Sequence, residues 1–229
     1  MGQITETDPD ATVLLIGSAA RGRMTWRSDI DLMVITTHPL RRISAPLRIH
    51  LHPESRANFV QRLRDGDEFV SWATRFGRLL RDPSGWWEQV SQSQIPSPDW
   101  RQKLHHIGKR LRIARLAIKD GDREAAEEEL MMAASHCGRA LLLRRGSFPL
   151  SRPELPEQLA EAGELKLAGL LSRLIKGRVG MERMKLMFAA LRKLHRRLRL
   201  QAASERSSSG RERDLVFRSS TRTRSGSPC

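Results

Sequence analysis

The chain has 229 residues, enough for two modest domains, each with a core of its own. Its two cysteines, Cys137 and Cys229, are too few and too far apart for a disulfide framework or a zinc site, and no apolar run approaches the length of a membrane span. With no charged-then-apolar leader, a soluble protein of the reducing cytoplasm is expected, while a net charge of +15 asks either for an anionic partner or for a solvated basic face.

In chain order, Val13-Leu14-Leu15-Ile16 reads as a first strand and Leu32-Met33-Val34-Ile35 as a second. Gly17-Ser18 opens the turn-rich stretch between them, so the expected order is strand, glycine turn, short helix, loop, strand. Gly17 leaves the strand without a side chain, which lets backbone N–H groups approach a polyphosphate; the helix that follows adds donors and a positive dipole end. Ser18 adds a hydroxyl, and Arg21 and Arg27 are candidate phosphate partners by charge alone. Asp29 and Asp31, two apart on a strand, point to the same face, with Ile30 expected to enter the core. Two carboxylates on one face form a hard-oxygen site for Mg²⁺, suited to phosphoryl or nucleotidyl transfer. Each piece is common by itself, and it is their conjunction in one short stretch that points to a site. Gly17 to Gly22 also matches half of a P-loop, but Arg23-Met24 replaces the Lys and Ser/Thr that such a loop needs.

Pro46 to His52 is the next strand candidate, with Leu47, Ile49 and Leu51 on its apolar face and Arg48, His50 and His52 on its polar one. Residues 55–80 carry Phe59, Leu63, Phe69, Trp72, Phe76, Leu79 and Leu80 at helical spacing, which predicts a helix pair completing the first domain. Asp82 to Trp87 reads as a turn, and Ile95-Pro96-Ser97-Pro98-Asp99 as a proline-stiffened linker. Trp86-Trp87 suits interdomain packing better than adenine stacking.

Beyond the linker the periodicity is helical. Helices are predicted at Trp100 to Ile118, ended by a glycine turn at Gly121, at Arg123 to Leu143, near Leu155 to Ala162, near Leu165 to Leu174 and at Met181 to Leu200. Short loops between amphipathic helices predict an antiparallel bundle. From Arg173 to Arg199 ten basic residues face one acid, Glu182. With only Phe188 among them, a base-stacking platform is not supported, and a solvated face or a nonspecific nucleic-acid contact fits better. The tail from Ser204 to Cys229, rich in Ser and Arg, cannot bury enough surface to fold alone.

Gly17-Ser18-Ala19-Ala20-Arg21-Gly22 followed by Ser28-Asp29-Ile30-Asp31-Leu32 resembles the signature of the polymerase-beta-type nucleotidyltransferase superfamily, in particular its minimal and aminoglycoside-modifying-like branches. The resemblance implies a small mixed sheet with helices, ATP or another nucleoside triphosphate as substrate, and Mg²⁺; Mn²⁺ is the alternative that a histidine donor such as His50 would admit. Gly17 and Ser18 would hold the triphosphate, and Asp29 and Asp31 the metal. The superfamily usually carries a third carboxylate on a later strand, as metal ligand and general base. Here that strand offers His50 instead, which accepts a proton or ligates a softer cation but brings no negative charge. Glu54 is a substitute acid, with Asp65 and Asp67 more remote. An enzyme with an altered base, a slow enzyme and a nucleotide-binding relic all stay open.

The helical half resembles, less specifically, the HEPN-like or substrate-binding domains that accompany minimal nucleotidyltransferases. Arg101 and His106 match the spacing of HEPN ribonucleases, but chance explains this better in so arginine-rich a segment; His136 reads as a packed helix residue. The expected architecture is α+β: a mixed-sheet nucleotidyltransferase domain at 1–95, an all-α antiparallel bundle at 100–200 and a disordered basic tail at 204–229. The expected reaction is metal-dependent transfer of a nucleoside monophosphate, AMP from ATP, to a hydroxyl acceptor held between the domains. That acceptor is an aminoglycoside-like molecule, a protein hydroxyl or an RNA end. The alternative is a toxin-neutralising or nucleotide-binding partner protein that lacks the third acid.

Overall fold

The structure is a computed structural model that describes residues 8–24, 28–37 and 47–221, with side chains described through residue 205. Its sheet holds four strands, β1 (Thr12–Ile16), β2 (Ile30–Thr36), β3 (Ile49–Ser55) and β4 (Arg78–Arg81), in the order β3-β2-β1-β4. β1 runs antiparallel to β2 and β4, while β2 and β3 are parallel, so the sheet is mixed, as expected. β1 and β2 lie in the middle and carry the most apolar strand sequences, because only central strands bury both faces.

The principal core lies on one face of this sheet. Leu14, Ile16, Met33 and Ile35 meet Phe59 and Leu63 of α2 (Arg56–Arg64), Val70, Trp72 and Ala73 of α3 (Glu68–Phe76), and Trp87 of α4 (Trp86–Ser91). Ser55 caps α2 by accepting from Asn58 N–H, and Asp67 caps α3 by accepting from Val70 N–H. The opposite face holds a smaller cluster of Ala11, Val13 and Val34 with Leu51 packed on it. Strand alternation puts Ile30 on this second face and Asp31 on the principal core's face with Met33 and Ile35, so the expectation that Ile30 enters the core is corrected to the smaller cluster's face; Asp29 lies one residue ahead of β2 rather than on the strand.

Three further expectations change. Leu79 and Leu80 are not on a helix face but on β4, because Gly77 ends α3 and frees the chain to pair with β1. A Cβ at Gly77 would stand 2.3 Å from the Ala73 carbonyl oxygen, so only glycine turns so tightly there. Leu47 is 97% exposed ahead of β3, which begins at Ile49 and extends to Ser55. Trp86-Trp87 opens α4 rather than forming a turn; the Trp87 N–H donates to Asp82, whose other oxygen accepts from Thr12, and both indoles pack edge-on to Phe59.

The chain divides into two compact units, one of residues 1–100 with 141–169 and one of 101–140 with 170–229. In the first unit Phe148 packs against Phe76, followed by α7 (Leu155–Glu161). The second unit holds α5 (Gln102–Asp120), most of α6 (Arg123–Arg144) and α8 (Leu165–Lys176), and α9 (Met181–Thr221). Arg110–Glu129 and His106–His136 contacts make α5 and α6 antiparallel, and Arg101–Glu205 with Gly108 against His195 does the same for α5 and α9. Gly121, at φ +74°, ends α5 as expected, and Asp122 then caps α6. The α9 backbone continues to Thr221, past the Ser204 at which the sequence suggested an unstructured tail.

Candidate functional site

The first turn after β1 sets the geometry. Ile16 pairs with Asp31 across β1 and β2, and Gly17 then turns the chain into α1 (Gly17–Ala20) at φ +70°. Such a backbone favours glycine, and a Cβ at Gly17 would stand 2.6 Å from Asp31 Oδ2, so the carboxylate lies close against this turn. The Arg23 N–H donates to the Ser18 carbonyl at 2.9 Å, which closes the turn.

On the neighbouring strand the parallel register sets His50 beside Asp31 and His52 beside Met33, which places both imidazoles on the face of the aspartates. His50 Nδ1 lies 3.9 Å from Asp31 Oδ1, and its Nε2 lies 4.0 Å from Asp29 Oδ2. His52 comes closer, with Nε2 3.1 Å from Asp31 Oδ1 and its ring tilted against Phe69 at 5.2 Å. Arg48, just ahead of β3, has φ +73°; its carbonyl accepts from Ile30 N–H and its guanidinium donates to the Ser28 carbonyl, tying the entry to the strand to the loop that carries Asp29. Among the described residues no three of His, Cys, Asp and Glu form a ready-made metal cage. A cation at this edge would therefore take much of its coordination from substrate oxygens.

The substitute acids go elsewhere. Glu54 is held by Arg62 and Asn58, Asp67 by a two-oxygen contact with Arg62 and its capping bond, and Asp65 by Gln61. Glu54 shares the strand face of His50 and His52, but its carboxylate is turned to Arg62 and Asn58 of α2. Arg21 is also engaged: its guanidinium donates to Glu154 at 3.0 Å and lies over Phe76 at 5.0 Å. Burial would raise the Glu154 carboxyl, but hydrogen bonds from Arg21 and Ser151 outweigh it and hold the carboxyl below its ordinary value. Arg27 lies outside the described residues.

Sequence reasoning chose His50 and passed over His52. The alternation of the strand placed both on one face, yet the nearer imidazole depends on the pairing register with β2 and on Phe69, which no local spacing encodes. Glu154, 133 residues from Arg21, left no local signal at all.

In the second unit a groove of about 590 Å³ between α5 and α9 is lined by Lys109, Arg112, Arg199 and His195. Burial lowers the His195 pKa; its hydrogen bond to the Leu104 carbonyl opposes this, and Arg199 reinforces it. Arg101 is ion-paired with Glu205, and His106 stacks on His136.

Residues 3–78 match the family model of the nucleotidyltransferase domain. A nucleotidyltransferase-like protein from Exiguobacterium sibiricum 255-15 is similar at 19% identity with a TM-score of 0.47, over 93% of this chain and 80% of that one. No curated protein matches.

Proposed function

We propose that the N-terminal unit binds a nucleoside triphosphate and transfers its nucleoside monophosphate, AMP in the case of ATP, to a hydroxyl acceptor, releasing pyrophosphate. The domain match over residues 3–78 supports nucleotidyl transfer as the general activity. The observation that carries the residue assignment is the seating of the Asp31 carboxylate against Gly17, which brings a backbone turn able to approach phosphates next to the carboxylate edge. Asp29 and Asp31 would hold a divalent cation, Mg²⁺ or Mn²⁺, which supplies charge neutralisation at the phosphates.

The remaining roles fall to the chain's own groups. The Gly17 backbone and Ser18 hydroxyl bind the triphosphate, with Arg27 and the partly engaged Arg21 adding charge. His50, within 4.0 Å of both carboxylates and 63% exposed at its side chain, takes the proton of the acceptor hydroxyl. The acceptor oxygen bonds to the α-phosphorus as the bond to the departing pyrophosphate breaks. Rate enhancement comes from positioning and preorganised charge. The acceptor is a small molecule, a protein hydroxyl or an RNA end, and the basic groove of the helical unit supports a sequence-independent contact with polyanions.

The test is ATP binding by calorimetry and turnover in Mg²⁺ or Mn²⁺. Asp29→Asn and Asp31→Asn are each expected to lower both by about 100-fold or more, with the far-ultraviolet spectrum unchanged. Wild-type affinity and turnover in both variants would refute the proposal.

A further inference from the structure

The groove between α5 and α9 of the second unit carries positive charge that nothing nearby balances. His105, Lys109 and Arg112 follow one another at i, i+4 and i+7, so they share one face of α5 over about 10 Å of helix. His195 and Arg199, four apart on the antiparallel α9, form the opposite wall. No carboxylate lines the groove. Among the described residues Lys109, Arg112 and Arg199 have no acidic partner, whereas the neighbouring Arg101 and Arg110 are paired with Glu205 and Glu129. The two walls are locked together before any ligand arrives. His195 Nε2 donates to the Leu104 carbonyl at 3.1 Å, and Gly108 makes room for that ring, since a Cβ there would stand 3.3 Å from His195 Cε1.

We propose that this groove seats one phosphodiester strand of a nucleic-acid duplex, with Lys109, Arg112 and Arg199 each neutralising a phosphate. Cations held in rows gain affinity by releasing the counterions condensed on such a backbone. Imidazoles are the only rings in the lining, so unpaired bases find no broad stacking platform; a duplex, whose bases are already stacked, loses nothing by this. Leu104 is the one large aliphatic side chain in the lining, and Ala202 and Ala203 add only methyl groups, so an acidic peptide finds no apolar anchor. The inference goes beyond nucleotidyl transfer and stands apart from it, because no step of that reaction enters the argument.

The full chain, without ATP, is titrated by fluorescence anisotropy with labelled duplexes of RNA and of DNA, with their single strands, and with poly-glutamate as competitor. Either duplex should bind about fivefold or more tightly than its single strands, with unrelated sequences within about threefold of each other. Lys109→Gln, Arg112→Gln and Arg199→Gln should each flatten the slope of log affinity against log salt by about 0.9 on duplex DNA. Arg173→Gln removes the same charge from an exposed position on α8 outside the groove and should leave that slope as it is. Ala203→Trp, which fills the groove at an exposed position without changing charge, should weaken duplex binding about tenfold or more. Circular dichroism checks that each variant keeps its helices. Equal flattening by Arg173→Gln, or wild-type affinity in Ala203→Trp, would overturn the groove as the site and leave a diffuse charge effect. Displacement of the duplex by poly-glutamate at equal charge concentration would overturn the phosphodiester assignment in favour of an acidic protein segment, and binding of neither duplex would overturn the proposal altogether.

Discussion

Gly17 shows how one missing side chain serves two ends. Its φ of +70° is a conformation that costs a residue with a β-carbon about 1–2 kcal/mol, and the carboxylate of Asp31 fills the space such a carbon would need. Ser18 contributes one hydroxyl, and losing a single hydrogen bond of about 1 kcal/mol corresponds to about fivefold in affinity. Gly17→Val is therefore expected to weaken ATP binding far more than Ser18→Ala, by about 100-fold against about fivefold. Titration of both variants with a fluorescent ATP analogue checks the ordering, and a more damaging Ser18→Ala would assign the site to the hydroxyl. Arg21 teaches the converse: chosen for its charge, it spends that charge on Glu154 and its flat face on Phe76.

At the scale of elements, α5 and α9 are joined through His195, whose Nε2 donates to the Leu104 carbonyl, with the ring against Gly108. Burial is the largest influence on this imidazole and lowers its pKa from the ordinary 6.5. The unfolded chain then takes up the proton at a higher pH than the folded one does, so stability is full above about pH 6.5 and falls as pH drops through the lowered value. Arg199 adds to the cost of a charged ring, and Lys109 and Arg112 line the same groove. His195→Gln keeps an amide donor and removes the titration. Melting temperatures at pH 7.5 and 5.5 should differ less in this variant than in the wild type, and an equal gap in both would show that His195 does not link stability to pH.

For the molecule as a whole, Cys137 lies fully buried on α6 in the core of the second unit, and burial pushes its thiol up to about 12. Inert while folded, it reports on the helical unit. In a Cys229→Ser chain, labelling of Cys137 by a thiol reagent at pH 8 should follow the unfolding of that unit with denaturant, and rapid labelling under native conditions would contradict its burial. The sequence by itself determined what local spacing encodes. Gly17-Ser18 and Asp29-x-Asp31 sit between two apolar runs that became adjacent strands, and the 3.6-residue periodicity with Gly121 marked α5 and α6 to within two residues at each end. What only the tertiary structure decided depends on partners far apart along the chain. The pairing of β4 with β1 made a strand of Leu79-Leu80, the register of β3 on β2 brought His52 rather than Glu54 to Asp31, and Glu154 claimed Arg21 from 133 residues away. Helical and strand periods are properties of neighbouring residues, whereas register and ion pairing are settled only when separate segments compete for the same face.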